Sequence, residues 1–202
     1  MKLFLKPGAC SLSPHIVLEE LGLPYDTEVV DLKAKTTASG EDFLRINPKG
    51  YVPALLLDSG ELLTEGPAIV QYLADQAPQK KLAPANGTLA RYELQSWLNF
   101  IGTELHKSFG PFFNPAASQD WKTAARANLE RRLAYTDAQL AGKDYLLGSD
   151  FSVADAYLFT VLSWTRYIQL DLAAYPNLKA YQARVAARPA VAAALKAEGL
   201  EA

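Results

Sequence analysis

The chain has one cysteine and two histidines, so nucleophilic and acid–base chemistry have few places to reside. Cys10 stands within Pro7-Gly8-Ala9-Cys10-Ser11-Leu12-Ser13-Pro14, after a turn signal and just ahead of a helix whose cap reads as Ser13. The positive end of a helix lowers a thiol's pKa, and the thiolate is the reactive form. A lone cysteine also serves as a small, readily buried hydrophobe. Ser11 and Ser13 keep a hydroxyl alternative alive. The sequence reads Cys10-Ser11-Leu12-Ser13, not Cys-x-x-Cys, so there is no resolving thiol. Oxidation of Cys10 would therefore stop at a mixed disulfide with an external thiol.

A second set of groups lies between Tyr51 and Ala74. Val52 precedes Pro53, which biases it to extended geometry and leaves its peptide groups available to a ligand's own backbone. After a turn at Asp58-Ser59-Gly60 come Glu65, then Gly66 as an expected N-cap, then Pro67 as the first helical residue. Unpaired N–H groups at such a start attract a carboxylate. Each feature also occurs in ordinary turns and helix starts. Side by side, they point to a site for a small charged peptide.

His106 lies on a predicted helix over Leu89 to Gly110, where Asn99, Thr103 and His106 fall at i, i+4 and i+7 and so share one face. A histidine there can be structural or catalytic. Phe109, Phe112 and Phe113 continue that helix. Tyr157, Trp164 and Tyr167 recur at i, i+7 and i+10 on a later one, a spacing that builds core as readily as a pocket wall.

The elements that must position these groups follow from periodicity and punctuation. Lys2 to Lys6 alternates and ends at Pro7-Gly8. A helix runs from Ser13-Pro14 to its stop at Gly22. Thr27 to Val30 reads as a strand and Glu41 to Arg45 as a short helix. Two strands flank the Asp58 turn, and a helix covers Pro67 to Asp75. The order β-α-β-α-β-β-α implies a mixed four-stranded sheet with helices. Residues 78–88 are rich in proline, lysine and turn formers and read as a linker between residues 1–77 and 89–202. Beyond it the chain is helical in pattern, over Leu89 to Gly110, Gln119 to Ala141, Val153 to Gln169, Tyr175 to Ala187 and Ala190 to Glu198. The fold class is thus α/β plus all-α, with an α/β domain followed by a helical bundle.

Half of the 202 residues are hydrophobic and 21% are charged, a globular composition. A net charge of −2 argues against general nucleic-acid or anionic-membrane binding, which need a basic face. No apolar run approaches the ~20 residues that span a bilayer. Charge interrupts the first six residues too early for a secretory leader. A single cysteine fits a reducing, cytoplasmic compartment.

One further motif, Ser152-Val153-Ala154-Asp155, has capping-box spacing before an apolar helix, with Asp155 able to return to the Ser152 N–H. With that box, the Val-Pro before the third strand, and the acid and small residue opening the next helix, the chain resembles the glutathione transferases over essentially its whole length. Cys10-Ser11 and His106-Lys107 are similar to the bacterial beta class. The tyrosine that other classes use near the first strand is absent, which favours a cysteine-type site.

The resemblance implies a thioredoxin-like first domain that binds glutathione as co-substrate, with no cofactor and no metal, in a cytoplasmic homodimer. It implies catalytic roles for Cys10 and His106. For glutathione it implies Ala9, Ser11, Lys35, Val52, Pro53, Glu65, Gly66, Asn99, Thr103, Glu104 and Lys107. Glu65 and Gly66 would take the γ-glutamyl end, Val52 the cysteinyl peptide, and Lys35 (with Lys33 as the other candidate) the glycyl carboxylate. Glu104 would act across a dimer interface. An apolar electrophile would meet Phe109, Phe113, Tyr157, Trp164 and Tyr167. The expected activity is conjugation of the glutathione thiolate to small hydrophobic electrophiles. Alternatives are Cys10-dependent thiol–disulfide exchange, reductive dehalogenation, and a non-catalytic carrier or interaction module.

Overall fold

The alternation at Lys2 to Leu5 becomes strand β1, whose Leu3, Phe4 and Leu5 are all buried. The computed structural model describes residues 1–200 of the chain. Strands β2 (Asp26–Asp31), β3 (Thr36–Thr37), β4 (Ala54–Leu56) and β5 (Leu62–Thr64) complete a sheet of order β3-β2-β1-β4-β5. β1 runs parallel to β2 and antiparallel to β4, with Leu3 opposite Leu55 and Phe4 opposite Ala54. The expected four strands are present. β3 is a fifth, and at two residues it is too short to carry an alternation signal. Phe4, Val30, Phe43, Val52 and Ala54 form a core on this sheet, each large side chain contributing about 1.5–3 kcal/mol by burial.

The parallel β1–β2 pair requires a crossover, supplied by helix α1 (Leu12–Leu21). Its cap is Ser11, not the expected Ser13, so the helix opens directly after Cys10. Pro14 then falls in the first turn, where a missing N–H costs no helical bond. The stop at Gly22 is as read: φ is 67° and its N–H returns to the Leu18 carbonyl. Helix α2 (Phe43–Ile46) starts at Asp42, whose carboxylate accepts from Leu44 N–H. Helix α3 (Gly66–Gln76) is capped one residue earlier than expected, at Glu65, with Pro67 at the second position.

By its contacts the chain divides into two units, Met1–Ala83 joined by the residues from Ala186 onward, and Pro84–Val185. The C-terminal residues therefore group with the sheet, which differs from a helical domain spanning 89–202. The grouping has a visible cause. Helix α9 (Pro189–Ala197) packs on α1, and Arg188 binds Glu20 at 2.6 Å. Glu198 takes His15 Nδ1 and the Gly8 N–H, both at 2.8 Å.

In the second unit, the single helix expected over Leu89 to Gly110 is replaced by three pieces: α4 (Leu89–Phe100), a π-helical turn (Ile101–His106) and α5 (Lys107–Phe113). Local groups account for the change. Thr103 Oγ1 donates to the Asn99 carbonyl, Ser108 Oγ donates to that of Glu104, and Pro111 has no N–H to give. Helix α6 (Gln119–Gln139) follows, then α7 (Val153–Leu162), buried on every side. The stretch expected to stay α-helical to Gln169 tightens into a 3₁₀ segment at Ser163–Ile168. Helix α8 (Pro176–Ala186) completes the series. No helix among the described residues is long and apolar enough to cross a membrane.

Candidate active site

In the first unit the turn between β1 and α1 is closed by Ser11, whose buried hydroxyl accepts from Lys6 N–H at 3.1 Å and donates to the Lys6 carbonyl at 3.2 Å. That engagement commits Ser11 to the turn. Ser13 is buried inside α1, its hydroxyl without a hydrogen bond among the described residues. Cys10 is half-buried, and its thiol donates to the Val52 carbonyl at 3.3 Å. Cys10 is thereby held beside the peptide edge that precedes Pro53, across a cis Val52–Pro53 bond. A carbonyl has two lone pairs, so Val52 can accept from the thiol and from one further donor.

The same edge runs on to the start of α3: a Cβ on Gly66 would lie 3.7 Å from Pro53 Cγ. Glu65 is held at φ 70° and lies at the positive end of α3. Its carboxylate meets Lys49 Nζ at 2.6 Å and the Tyr51 hydroxyl at 3.1 Å. The Glu65 carboxylate beside it holds the Lys49 ammonium above its usual range. Lys35, half-buried at φ 59°, donates to the Gly50 carbonyl at 2.6 Å, while Lys33 is exposed. Of the two lysine candidates, Lys35 is the one placed by the Val52 segment.

The second unit holds the other group. The π turn ends at His106, and Nδ1 lies 2.7 Å from the Tyr157 hydroxyl. The Trp164 ring stands edge-on to the imidazole, with centroids 4.7 Å apart. Phe109 and Phe113 pack edge-on to Trp164 at 5.6 and 5.9 Å, and Tyr167 extends the cluster through Phe113. Phe109, Tyr157 and Trp164 are buried, whereas Phe113 and Tyr167 are exposed. Burial, reinforced by the Lys107 charge, lowers the His106 pKa to about 4, so the imidazole is neutral at pH 7.

Asn99, Thr103 and Lys107 are exposed. An i→i+5 ladder turns less per residue, so His106 does not return to the face that i, i+7 spacing in an α-helix gives. Glu104 pairs with Arg132 of its own chain at 2.7 Å. Among the described residues no group of three or more His, Cys, Asp or Glu side chains could hold a metal ion.

Sequence reasoning missed three contacts: Lys49 on Glu65, Tyr157 on His106, and Glu198 on Gly8. Lys49 stands in the turn that Gly50, at φ 69°, closes onto the Asn47 carbonyl, so no strand period announces its meeting with Glu65. Nothing local announces Glu198, which is 190 residues from Gly8.

A thiol in the turn between β1 and α1, with a cis Val-Pro edge and a helix start beside it on a mixed sheet, defines a thioredoxin-like first unit. Residues 8–76 match the glutathione S-transferase N-terminal domain and residues 100–189 its C-terminal domain. The chain belongs to the glutathione S-transferase family. It is 48% identical to the glutathione S-transferase GstA of Escherichia coli O157:H7, with 100% of each chain covered. Among solved structures, a sphingomonad glutathione S-transferase complexed with glutathione is 56% identical over 100% of both chains, with a TM-score of 0.96. The beta-class enzyme of Sphingomonas chungbukensis is 54% identical over the same coverage, with a TM-score of 0.97.

Proposed function

We propose that this glutathione transferase binds the tripeptide on the first unit and conjugates its thiolate to a small apolar electrophile. The observation that carries the reading is the contiguous run from Cys10 through Val52 and Pro53 to the start of α3. Val52 offers peptide groups to the cysteinyl residue. The N–H groups opening α3 suit the γ-glutamyl carboxylate, and the Glu65 carboxylate suits its ammonium. Lys35 takes the glycyl carboxylate. Ala9, Ser11 and Gly66 shape the backbone around the thiol. Asn99, Thr103, Glu104 and Lys107 line the π turn that carries His106, which acts as the second catalytic residue. Phe109, Phe113, Trp164 and Tyr167 receive a flat apolar molecule. The enzyme works as a homodimer, as the resemblance to the family implies.

A second reading, thiol–disulfide exchange at Cys10, is favoured by the position of that thiol at the start of α1. Glutathione titration by calorimetry, with the mass read by sedimentation, and turnover of Cys10→Ala on a dinitrohalobenzene separate the readings. Conjugation by Cys10→Ala at near the parent rate, with disulfide exchange abolished, makes Cys10 auxiliary. Failure to bind glutathione, with no thiol-dependent turnover, overturns both.

A further inference from the structure

We propose that Tyr157 is a positioning residue for His106, its hydroxyl donating to Nδ1 and so placing the imidazole proton on Nε2. The inference deepens the reading that His106 is catalytic, and rests on it for its kinetic consequence.

The geometry supplies the first part. Tyr157 sits on α7, buried throughout, and reaches Nδ1 at 2.7 Å. The π turn packs closely on it: a Cβ on Gly102 would lie 3.7 Å from the Tyr157 hydroxyl. The Trp164 ring, its centroid 4.7 Å from that of the imidazole at an interplanar angle of 73°, fixes the ring plane from another element. Two independent groups therefore orient the ring, and among the described residues only Tyr157 hydrogen-bonds one of its nitrogens.

The direction of that bond follows from acidity. A phenol, with a pKa near 10, is a far stronger donor than a neutral imidazole N–H, and an imidazole nitrogen, with a conjugate acid near 6.5, is a far stronger acceptor than a phenol oxygen. Matching the stronger donor to the stronger acceptor gives Tyr157 O–H to Nδ1. Burial keeps the ring from taking a second proton. In a neutral imidazole one nitrogen accepts and the other donates, so the bond at Nδ1 decides the tautomer. His106 is then a neutral donor through Nε2 and cannot act as a base there. Such a preset donor stabilises developing negative charge without reorganising.

The chain's two histidines make the test direct. Nitrogen-15 labelling of histidine reports each ring nitrogen as protonated or bare, and His106→Gln assigns its signals by their loss. In the parent protein at pH 7, Nδ1 of His106 should be bare and Nε2 protonated. A protonated Nδ1 overturns the proposal, whatever the variants do. Tyr157→Phe keeps the ring and removes the hydroxyl. It should average the two nitrogen signals and lower kcat on the order of tenfold, the scale of losing a partner that orients a functional histidine, with KM for glutathione little changed. Parent-like nitrogen shifts in Tyr157→Phe also overturn it. If His106→Gln conjugates at the parent rate, the reading of His106 as catalytic fails, while the nitrogen shifts still decide the role of Tyr157.

Discussion

Asp155 allows a stability prediction whose size separates two explanations. Its buried carboxylate accepts from Leu146 N–H at 2.9 Å, from Ser152 N–H and Ser152 Oγ at 2.8 Å, and from the Tyr181 hydroxyl at 3.1 Å. If its only work is to cap α7, Asp155→Ala should cost about 1 kcal/mol. The contacts argue for more. In Asp155→Ala, Tyr181 keeps a partner, because its hydroxyl also reaches the Asp155 backbone carbonyl at 3.1 Å. The Ser152 hydroxyl can rotate to another acceptor. The amides of Leu146 and Ser152 cannot move, and each buried donor left unsatisfied costs about 1–3 kcal/mol, so we expect a loss of about 4 kcal/mol. That is a large share of the roughly 5–15 kcal/mol that holds a folded protein together. Asp155→Asn retains one acceptor oxygen and should lose about half as much. Urea unfolding followed by circular dichroism measures both variants through the shift in midpoint at constant slope. A loss near 1 kcal/mol for Asp155→Ala, or equal losses for the two variants, would refute the argument that Asp155 anchors the 146–152 loop as well as the helix.

His106 makes stability depend on pH. Its folded pKa of about 4 lies below its unfolded value near 6.5, so between those values the unfolded chain binds more protons and stability falls as pH drops from 6.5 to 4. The full difference corresponds to about 3 kcal/mol, and denaturant midpoints for His106→Gln should lose that part of the slope between pH 6.5 and 4. At the other end of the chain, the His15–Glu198 pair is almost wholly buried, with side chains 2% and 1% exposed. Glu198→Ala leaves the buried His15 ring nitrogen without its partner, a loss of about 1–3 kcal/mol that should appear as a lower urea midpoint. Because Glu198 also holds the Gly8 N–H, Cys10 in that variant should react faster with iodoacetamide. An unchanged alkylation rate would show that the turn before Cys10 is rigid without the C-terminal residues.

What the sequence made legible was governed by local rules. Gly22 ends α1, Asp155 returns to Ser152 N–H, and Pro53 marks the peptide edge, because each acts within a few residues of itself. The starts at Leu89, Gln119 and Val153 lie where the sequence puts them, while the caps of α1 and α3 are displaced by two residues and one. Ser11 was a cap as good as Ser13, and the choice between them depended on Lys6, five residues back, which closes the turn onto Ser11. β3 was missed because two residues carry no period. Glu198 was missed because its partners, His15 and Gly8, lie on the far side of the sequence.

The error at His106 is of another kind, and it bears on mechanism. Counting Asn99, Thr103 and His106 onto one face presupposes 3.6 residues per turn throughout. The sequence itself contains the reasons that fails: a threonine able to bond back to i−4, a serine doing the same five residues on, and a proline one turn later. An extra residue per turn delivers His106 to Tyr157 and Trp164, two buried rings that fix the imidazole as no exposed helix face could. Departures from regular geometry gather where function asks for a particular orientation. The π turn is therefore better read as the device that aims His106 than as an irregularity in a bundle helix. A substitution that restored α-helical geometry there would be expected to disable the imidazole even with every side chain of the cluster intact.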